Sequence, residues 1–264
     1  MRLAYFIAVL SLAGSSCQHS LSYEFAIVHD TIRMKDGVKL AVTYFVPRAQ
    51  SSGERFPVLF EMLPYRKDDF FYARDFPIYS YFAKAGFLMA KVDIRGTGSS
   101  EGQVPPREYS EEEMNDALEI IDQLSRYKDS NGNIGMWGLS WGGFNSLQVR
   151  MRKPPALKAV LAIHASDDLY HDDIHYIDGI RHFDSYSIDL EGDTTFPRAP
   201  DYLLDESYFR DRFDQYPWFL SYLKQQRDGG FWRRQSVRFD SSPNNIPLYL
   251  IGGLNDGYRD TVSR

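Results

Sequence analysis

Gly138-Leu139-Ser140-Trp141-Gly142 stands directly after a short apolar segment, 134–137, and directly before a segment with helical spacing, 144–152. That setting constrains the chain more than any other feature. A strand that turns into a helix around one serine must pass through a strained backbone, and the two elements approach so closely that glycines are needed on either side. The serine then sits at a helix N-terminus, where free N–H groups and the positive end of the dipole stabilise developing negative charge. Ser140 is therefore read as a nucleophile. The plainer alternative is a glycine-rich turn with a packing serine.

The surrounding pattern supplies the frame for such a turn. Segments 25–33 and 38–46 are β-rich and meet at Asp36-Gly37, a dipeptide favoured in hairpins. Segment 58–63 is almost wholly apolar, as for a strand buried on both faces, and 79–85 reads as a helix closed by Gly86 before a strand at 88–92. Ser110 and Glu113 form a capping box, followed by an apolar stripe of Met114, Ala117, Leu118, Ile121 and Leu124. Further strands are expected at 157–163 and 246–251. Between them, about 167–243, the pattern dissolves into an aromatic, charged stretch too long for an ordinary loop. With 43% hydrophobic and 25% charged residues in 264, the chain can bury a full core. The expected class is α/β: a mostly parallel sheet with helices on both faces, interrupted by an inserted helical cap.

Asp256 lies in Gly252-Gly253-Leu254-Asn255-Asp256-Gly257, just past the last expected strand. In α/β-hydrolases the chain order is serine, acid, histidine, with the acid in a loop after a late strand. Asp256 fits that acid, whose work is to hold an imidazole in one tautomer and stabilise its protonated form. An Asx turn in the Asn-Asp-Gly loop is the alternative. His19, His29, His164, His171, His175 and His182 all precede it. A histidine in the usual order is expected beyond Arg264, whereas His164, after the 157–163 strand, is read as packed or hydrogen-bonded.

Several stretches together resemble the family of X-Pro dipeptidyl-peptidases, cocaine esterases (CocE/NonD type) and α-amino-acid ester hydrolases. They are Pro64-Tyr65, the run Asp93-Ile94-Arg95-Gly96-Thr97-Gly98-Ser99-Ser100-Glu101-Gly102, the acidic helix start at 111–116, the run from Asn133 to Gly143, Asp168-Leu169-Tyr170, and Asn255-Asp256-Gly257-Tyr258. The resemblance covers roughly residues 25 to 264. It implies an α/β-hydrolase domain at 24–264 and a serine hydrolase of esters or peptides. It also implies an oxyanion hole made by the Tyr65 hydroxyl and the Trp141 backbone N–H, with Arg95 and Glu101 as a structural pair. The family continues into a last strand, the histidine loop and a jelly-roll domain, which this sequence is expected to lack.

Other readings are narrower. His171 and His175 have the i, i+4 spacing of a metal site among Asp167, Asp168, Asp172, Asp173 and His182, but the H-E-x-x-H glutamate is missing, so a solvated or cap-packing face is expected. No metal or cofactor is expected. The formal net charge of −6, with no basic cluster, argues against nucleic-acid binding; the resemblance implies a small ester, amide or peptide as the partner. Met1-Arg2, the apolar run 3–12 and the small residues 13–16 read as an export signal, 1–17, ending at the sole cysteine, Cys17. Export would place the protein in the periplasm or on the cell surface, and lipidation of Cys17 would anchor it there; plain cleavage nearby is the alternative. A catalytically inactive, truncated hydrolase-fold protein serving as a surface binding module is the rival to the enzymatic reading.

Overall fold

A computed structural model describes residues 23–69, 71–173, 175–182 and 186–264. The expected export signal and Cys17 lie outside the described residues. No helix among the described residues is long and apolar enough to cross a membrane.

The chain opens with β1 (Phe25–Arg33) and β2 (Lys39–Pro47), paired antiparallel from Phe25↔Pro47 to Arg33↔Lys39. Their joint is a five-residue loop rather than a two-residue turn: Met34 N–H donates to Val38 O at 2.8 Å, and Gly37 takes φ 94°. Then follow β3 (Phe56–Leu63), α1 (Tyr72–Lys84), β4 (Leu88–Asp93), α2 (Glu111–Ser125), β5 (Ser130–Leu139), α3 (Trp141–Met151) and β6 (Leu157–Ile163). Between β6 and the last strand come a small hairpin, β7 (Tyr176–Ile177) with β8 (Ile180–Arg181), and the short helices α4 (Tyr186–Thr195), α5 (Glu206–Tyr208), α6 (Trp218–Lys224) and α7 (Gly230–Arg233). The strand β9 (Leu248–Ile251) then returns to the sheet.

The sheet has seven strands in the order β1-β2-β4-β3-β5-β6-β9. β2 runs antiparallel to β4, and every pairing from β4 through β3, β5 and β6 to β9 is parallel. The chain thus has the α/β-hydrolase architecture, a mostly parallel sheet with helices on both faces. On one face α2 and α3 bury Met114, Ala117, Ile120, Ile121, Phe144 and Leu147 against Phe60, Val92, Ile134 and Met136. On the other, α1 buries Tyr79 and Ala83 against Phe45, Met89 and Trp137. Helix α1 starts seven residues earlier than its spacing suggests and carries Pro77 internally. A proline there typically costs about 3 kcal/mol. Tertiary contacts override that cost: Asp75 pairs with buried Lys91 of β4, and the Tyr79 hydroxyl donates to buried Glu61 of β3 at 2.5 Å. Among the described residues no strand pairs with the far edge of β9, whose Tyr249 is 67% exposed.

Candidate active site

Parallel strands end together, and in open α/β sheets ligands bind beyond the carboxyl ends. Here that edge carries the loop with Tyr65 after β3, the 94–102 loop after β4, Ser140 after β5, His164 after β6 and Asp256 after β9. Four of the sequence-derived site residues, Tyr65, Ser140, Trp141 and Asp256, therefore share one rim of the sheet.

Ser140 takes φ 55° and ψ −117° between β5 and α3. For a residue with a side chain this left-handed backbone costs about 1–3 kcal/mol and is held only because its surroundings fix it. The holding bonds are visible. Ser140 N–H donates to Ile163 O at 2.9 Å, and Ser140 O accepts from Phe144 N–H at 2.9 Å. The flanking glycines are required by space: a Cβ on Gly138 would lie 2.5 Å from the Gly142 Cα, and one on Gly142 would lie 2.9 Å from Glu61 Oε1. The side chain of Ser140 remains half-buried at the head of α3, whose first-turn N–H groups have no intrahelical acceptor.

Trp141, the next residue, is fully buried and ties three parts of the chain together. Its indole N–H donates to Glu113 Oε1 at 2.7 Å. Its ring meets Tyr65 edge-on at 6.2 Å and stacks on Trp218 of α6 at 5.7 Å. Trp218 in turn donates its indole N–H to Pro105 O at 2.6 Å, so the segment between β6 and β9 is keyed directly onto the turn that carries the serine.

Glu113 is the residue whose part the sequence does not disclose. Ser110 Oγ accepts from Glu113 N–H at 3.0 Å, as the capping box requires, but the carboxylate does not reach back to Ser110. It turns inward instead, taking Trp141 Nε1–H and Asn145 Nδ2–H (2.8 Å), while Asn145 also donates to Met62 O at 3.1 Å. Among the described residues Oε2 has no hydrogen-bond partner within bonding geometry. Burial dominates and raises its pKa to about 7, against the opposing pull of the Trp141 and Asn145 hydrogen bonds.

Asp256 is held in a turn by its N–H, which donates to Gly253 O at 3.0 Å. Its Oδ2 lies 2.5 Å from His164 Nδ1. Around it, Tyr258 packs edge-on to Phe144 at 5.0 Å, and Tyr109 stacks on Phe144 at 5.0 Å. Burial first, and then the acidic neighbours Glu108 and Asp173, push both of these phenols well above their ordinary range. They stay neutral and can donate.

The remaining histidines go elsewhere. His175 Nε2 meets Glu108 Oε2 at 2.6 Å in a buried pair, with its ring 4.3 Å from that of Tyr222. His171 Nδ1 meets Asp168 Oδ2 at 3.0 Å. The two members of the i, i+4 pair thus serve different carboxylates, and no group of three His, Cys, Asp or Glu side chains is gathered for a metal among the described residues. Asp168 folds the Asp168-Leu169-Tyr170 segment by accepting from Tyr170 N–H at 2.9 Å and His171 N–H at 3.1 Å. Burial would raise its pKa, but those N–H groups and Arg238 outweigh it and hold the carboxyl below its ordinary value.

One expectation needs correction. Arg95 and Glu101 do not pair through their side chains. Arg95 forms a fork with Asp116 of α2 at 2.9 and 2.7 Å and adds Asp36 at 2.5 Å. Glu101 accepts from Lys39 N–H at 3.2 Å, and the two ends of their loop are joined by Gly96 N–H donating to Glu101 O at 3.0 Å and by Ser100 Oγ–H donating to Asp93 O at 2.7 Å. The planar guanidinium fits a bidentate carboxylate on the packed helix better than one in its own loop. A cavity of about 1070 Å³ opens between the 66–69 and 98–102 loops and residues 197–212, and neither Ser140 nor Asp256 lines it.

The geometry can be set beside known proteins. The profile of the X-Pro dipeptidyl-peptidase (S15) family matches residues 36–264. The cocaine esterase of Rhodococcus sp. (strain MB1 Bresler) is 33% identical over 141 residues, which take in 53% of this chain and 23% of that enzyme. The chain thus spans about a quarter of the length of the curated relatives it matches. Among solved structures, an α-amino acid ester hydrolase superposes with a TM-score of 0.66 at 21% identity, over 94% of this chain and 46% of that one. A CocE/NonD family hydrolase from Staphylococcus aureus gives 0.64 at 22%, over 86% and 43%. At these identities the superpositions show the fold.

Proposed function

This chain belongs to the X-Pro dipeptidyl-peptidase (S15) family, and from that premise we propose that it carries the nucleophile and acid of a serine hydrolase acting on an ester or peptide acyl bond. The observation that carries the proposal is the strained Ser140 at the head of α3, with Asp256 two strands along the same rim. In this scheme Ser140 Oγ attacks the substrate carbonyl carbon, and a histidine beyond Arg264 takes the hydroxyl proton. The carbonyl electrons collect on oxygen, facing the Trp141 backbone N–H and the Tyr65 hydroxyl. Collapse expels the alcohol or amine, protonated by the same imidazole, and leaves an acyl-Ser140 ester. Water, deprotonated by that imidazole, then releases the acid and restores the serine. Asp256 holds the imidazole in place throughout.

The substrate range proposed is that of a CocE-like esterase or an X-Pro dipeptidyl-peptidase; Trp218 and Trp232, buried among other aromatic rings, form the core of the inserted segment. Export through the 1–17 segment, with Cys17 as a lipid attachment point, is part of the same proposal. The experiment is labelling with a fluorophosphonate followed by peptide mapping, alongside hydrolysis of an aryl ester and an X-Pro anilide. Modification confined to Ser140 and lost in Ser140→Ala supports the reading. An unreactive Ser140 in the folded protein overturns it in favour of a binding module.

A further inference from the structure

Strand register places His164 next to the nucleophile. Leu139 of β5 pairs with Ile163 of β6, and Ile163 pairs with Ile251 of β9. The ladder runs one residue further on each side: Ser140 N–H donates to Ile163 O, and His164 N–H donates to Ile251 O at 2.8 Å. Ser140 and His164 are therefore consecutive residues along the sheet's carboxyl rim, one strand spacing or about 4.8 Å apart at the backbone. Like Ser140, His164 is forced into the left-handed region, at φ 46°. A histidine backbone in that region is a standing cost. It aims the ring at the acid loop, where Nδ1 lies 2.5 Å from Asp256 Oδ2. The absent side chain of Gly253 leaves room for this: a Cβ there would lie 3.3 Å from the His164 ring and 3.6 Å from the Asp256 Cβ.

An ionised carboxylate only accepts, so Nδ1 of His164 carries the proton in this bond. Among the described residues, Oδ1 of Asp256 takes no other hydrogen bond, and no hydrogen bond joins Ser140 Oγ to a histidine. We propose that His164 is a positioning residue for Asp256: it clamps Oδ2 through Nδ1–H and presents Oδ1 toward the proton-accepting imidazole. This rests on the reading of Ser140 and Asp256 as nucleophile and acid. Tyr258 against Phe144, and Thr261 and Arg264 bonded to Asp167, already anchor the segment after Asp256, so what the clamp adds is the orientation of the carboxylate itself.

Two variants tolerate the left-handed backbone and separate the roles. His164→Asn retains a donor, its Nδ2, close to the position of Nδ1, and His164→Gly removes the donor without backbone strain. With the aryl ester as substrate, His164→Gly should lower kcat about ten- to a hundredfold at nearly unchanged KM, because a displaced orienting group costs rate rather than binding. His164→Asn should restore most of that loss. Equal activity of His164→Gly and the parent overturns the clamp. So does equal and near-complete loss in both variants, which is the signature of a proton acceptor. Proton NMR of the imidazole N–H region gives a readout independent of turnover. A strongly downfield signal, lost in His164→Asn and in Asp256→Asn alike, supports the pair, and its absence in protein whose Ser140 still takes the fluorophosphonate overturns this inference alone. A protein that shows the signal but leaves Ser140 unlabelled keeps the clamp and removes the hydrolase reading.

Discussion

The indole N–H of Trp141 ends on Glu113 Oε1 at 2.7 Å, so the residue following the nucleophile is suspended from a carboxyl of α2. Asn145 shares that oxygen and reaches Met62 O on β3. A single buried carboxyl thus sets the spacing between the helix head that carries Ser140 and the strand that leads into Tyr65.

That carboxyl should leave a mark on stability. Its pKa is raised from 4.5 to about 7, chiefly by burial, so between those values the folded chain keeps a proton that the unfolded chain has released. Stability is then fully present below about pH 4.5 and falls as pH rises toward 7, by an amount on the order of 3 kcal/mol. Glu113→Gln, uncharged throughout, should flatten this part of the melting-temperature profile. A profile between pH 5 and 8, roughly the window named, that is the same in both proteins would remove the group from this role.

Gly138→Ala tests the turn itself. The added methyl would meet the Gly142 Cα and C at 2.5 Å and its O at 2.9 Å, all backbone atoms that no side-chain rotation can move aside. A loss of at least about 3 kcal/mol in urea unfolding is expected, together with loss of Ser140 labelling in whatever fraction remains folded. Wild-type labelling in Gly138→Ala would show that the turn tolerates what its geometry forbids.

Tyr65→Phe removes only a hydroxyl. The ring, packed at 5.2 Å from Phe71 and 6.2 Å from Trp141, keeps its contacts, so the fold should stand. If the hydroxyl faces the developing oxyanion, kcat falls about 10²–10³-fold with KM little altered. An unchanged kcat takes Tyr65 out of the oxyanion hole.

Trp218→Ala should free the segment between β6 and β9 from the nucleophile turn. It deletes a side chain that is 2% exposed, its stack on Trp141 and its bond to Pro105 O. Truncations of this size cost about 3–5 kcal/mol. Limited trypsin digestion should then cut within 198–234 before the sheet is attacked. Digestion that proceeds at the parent's rate would mean that other contacts hold the segment.

Much of this could be read before the structure, and the division is physical. Strand–helix alternation and the Gly138–Gly142 run depend on neighbours in sequence, so the parallel sheet and its turn were legible. Helix α1 was half-legible, because Pro77 hides its first turns and the bonds that rescue them, Asp75 to Lys91 and Tyr79 to Glu61, join distant segments. Glu113 reads locally as a cap, and only the arrival of α3 reveals where its carboxyl goes. Arg95 has Glu101 nearby in sequence, yet Asp116 offers a fork on a packed helix. His164 and Asp256 are 92 positions apart, and no periodicity reports a contact made by two strand ends meeting across an insertion.

Among the described residues, strand β9 contributes only one of its edges to the sheet. The other is a row of backbone donors and acceptors beside Tyr249, 67% exposed, and Ile251, 40% exposed. Such an edge is a template for any extended segment that can add to it, a second copy of the same strand included.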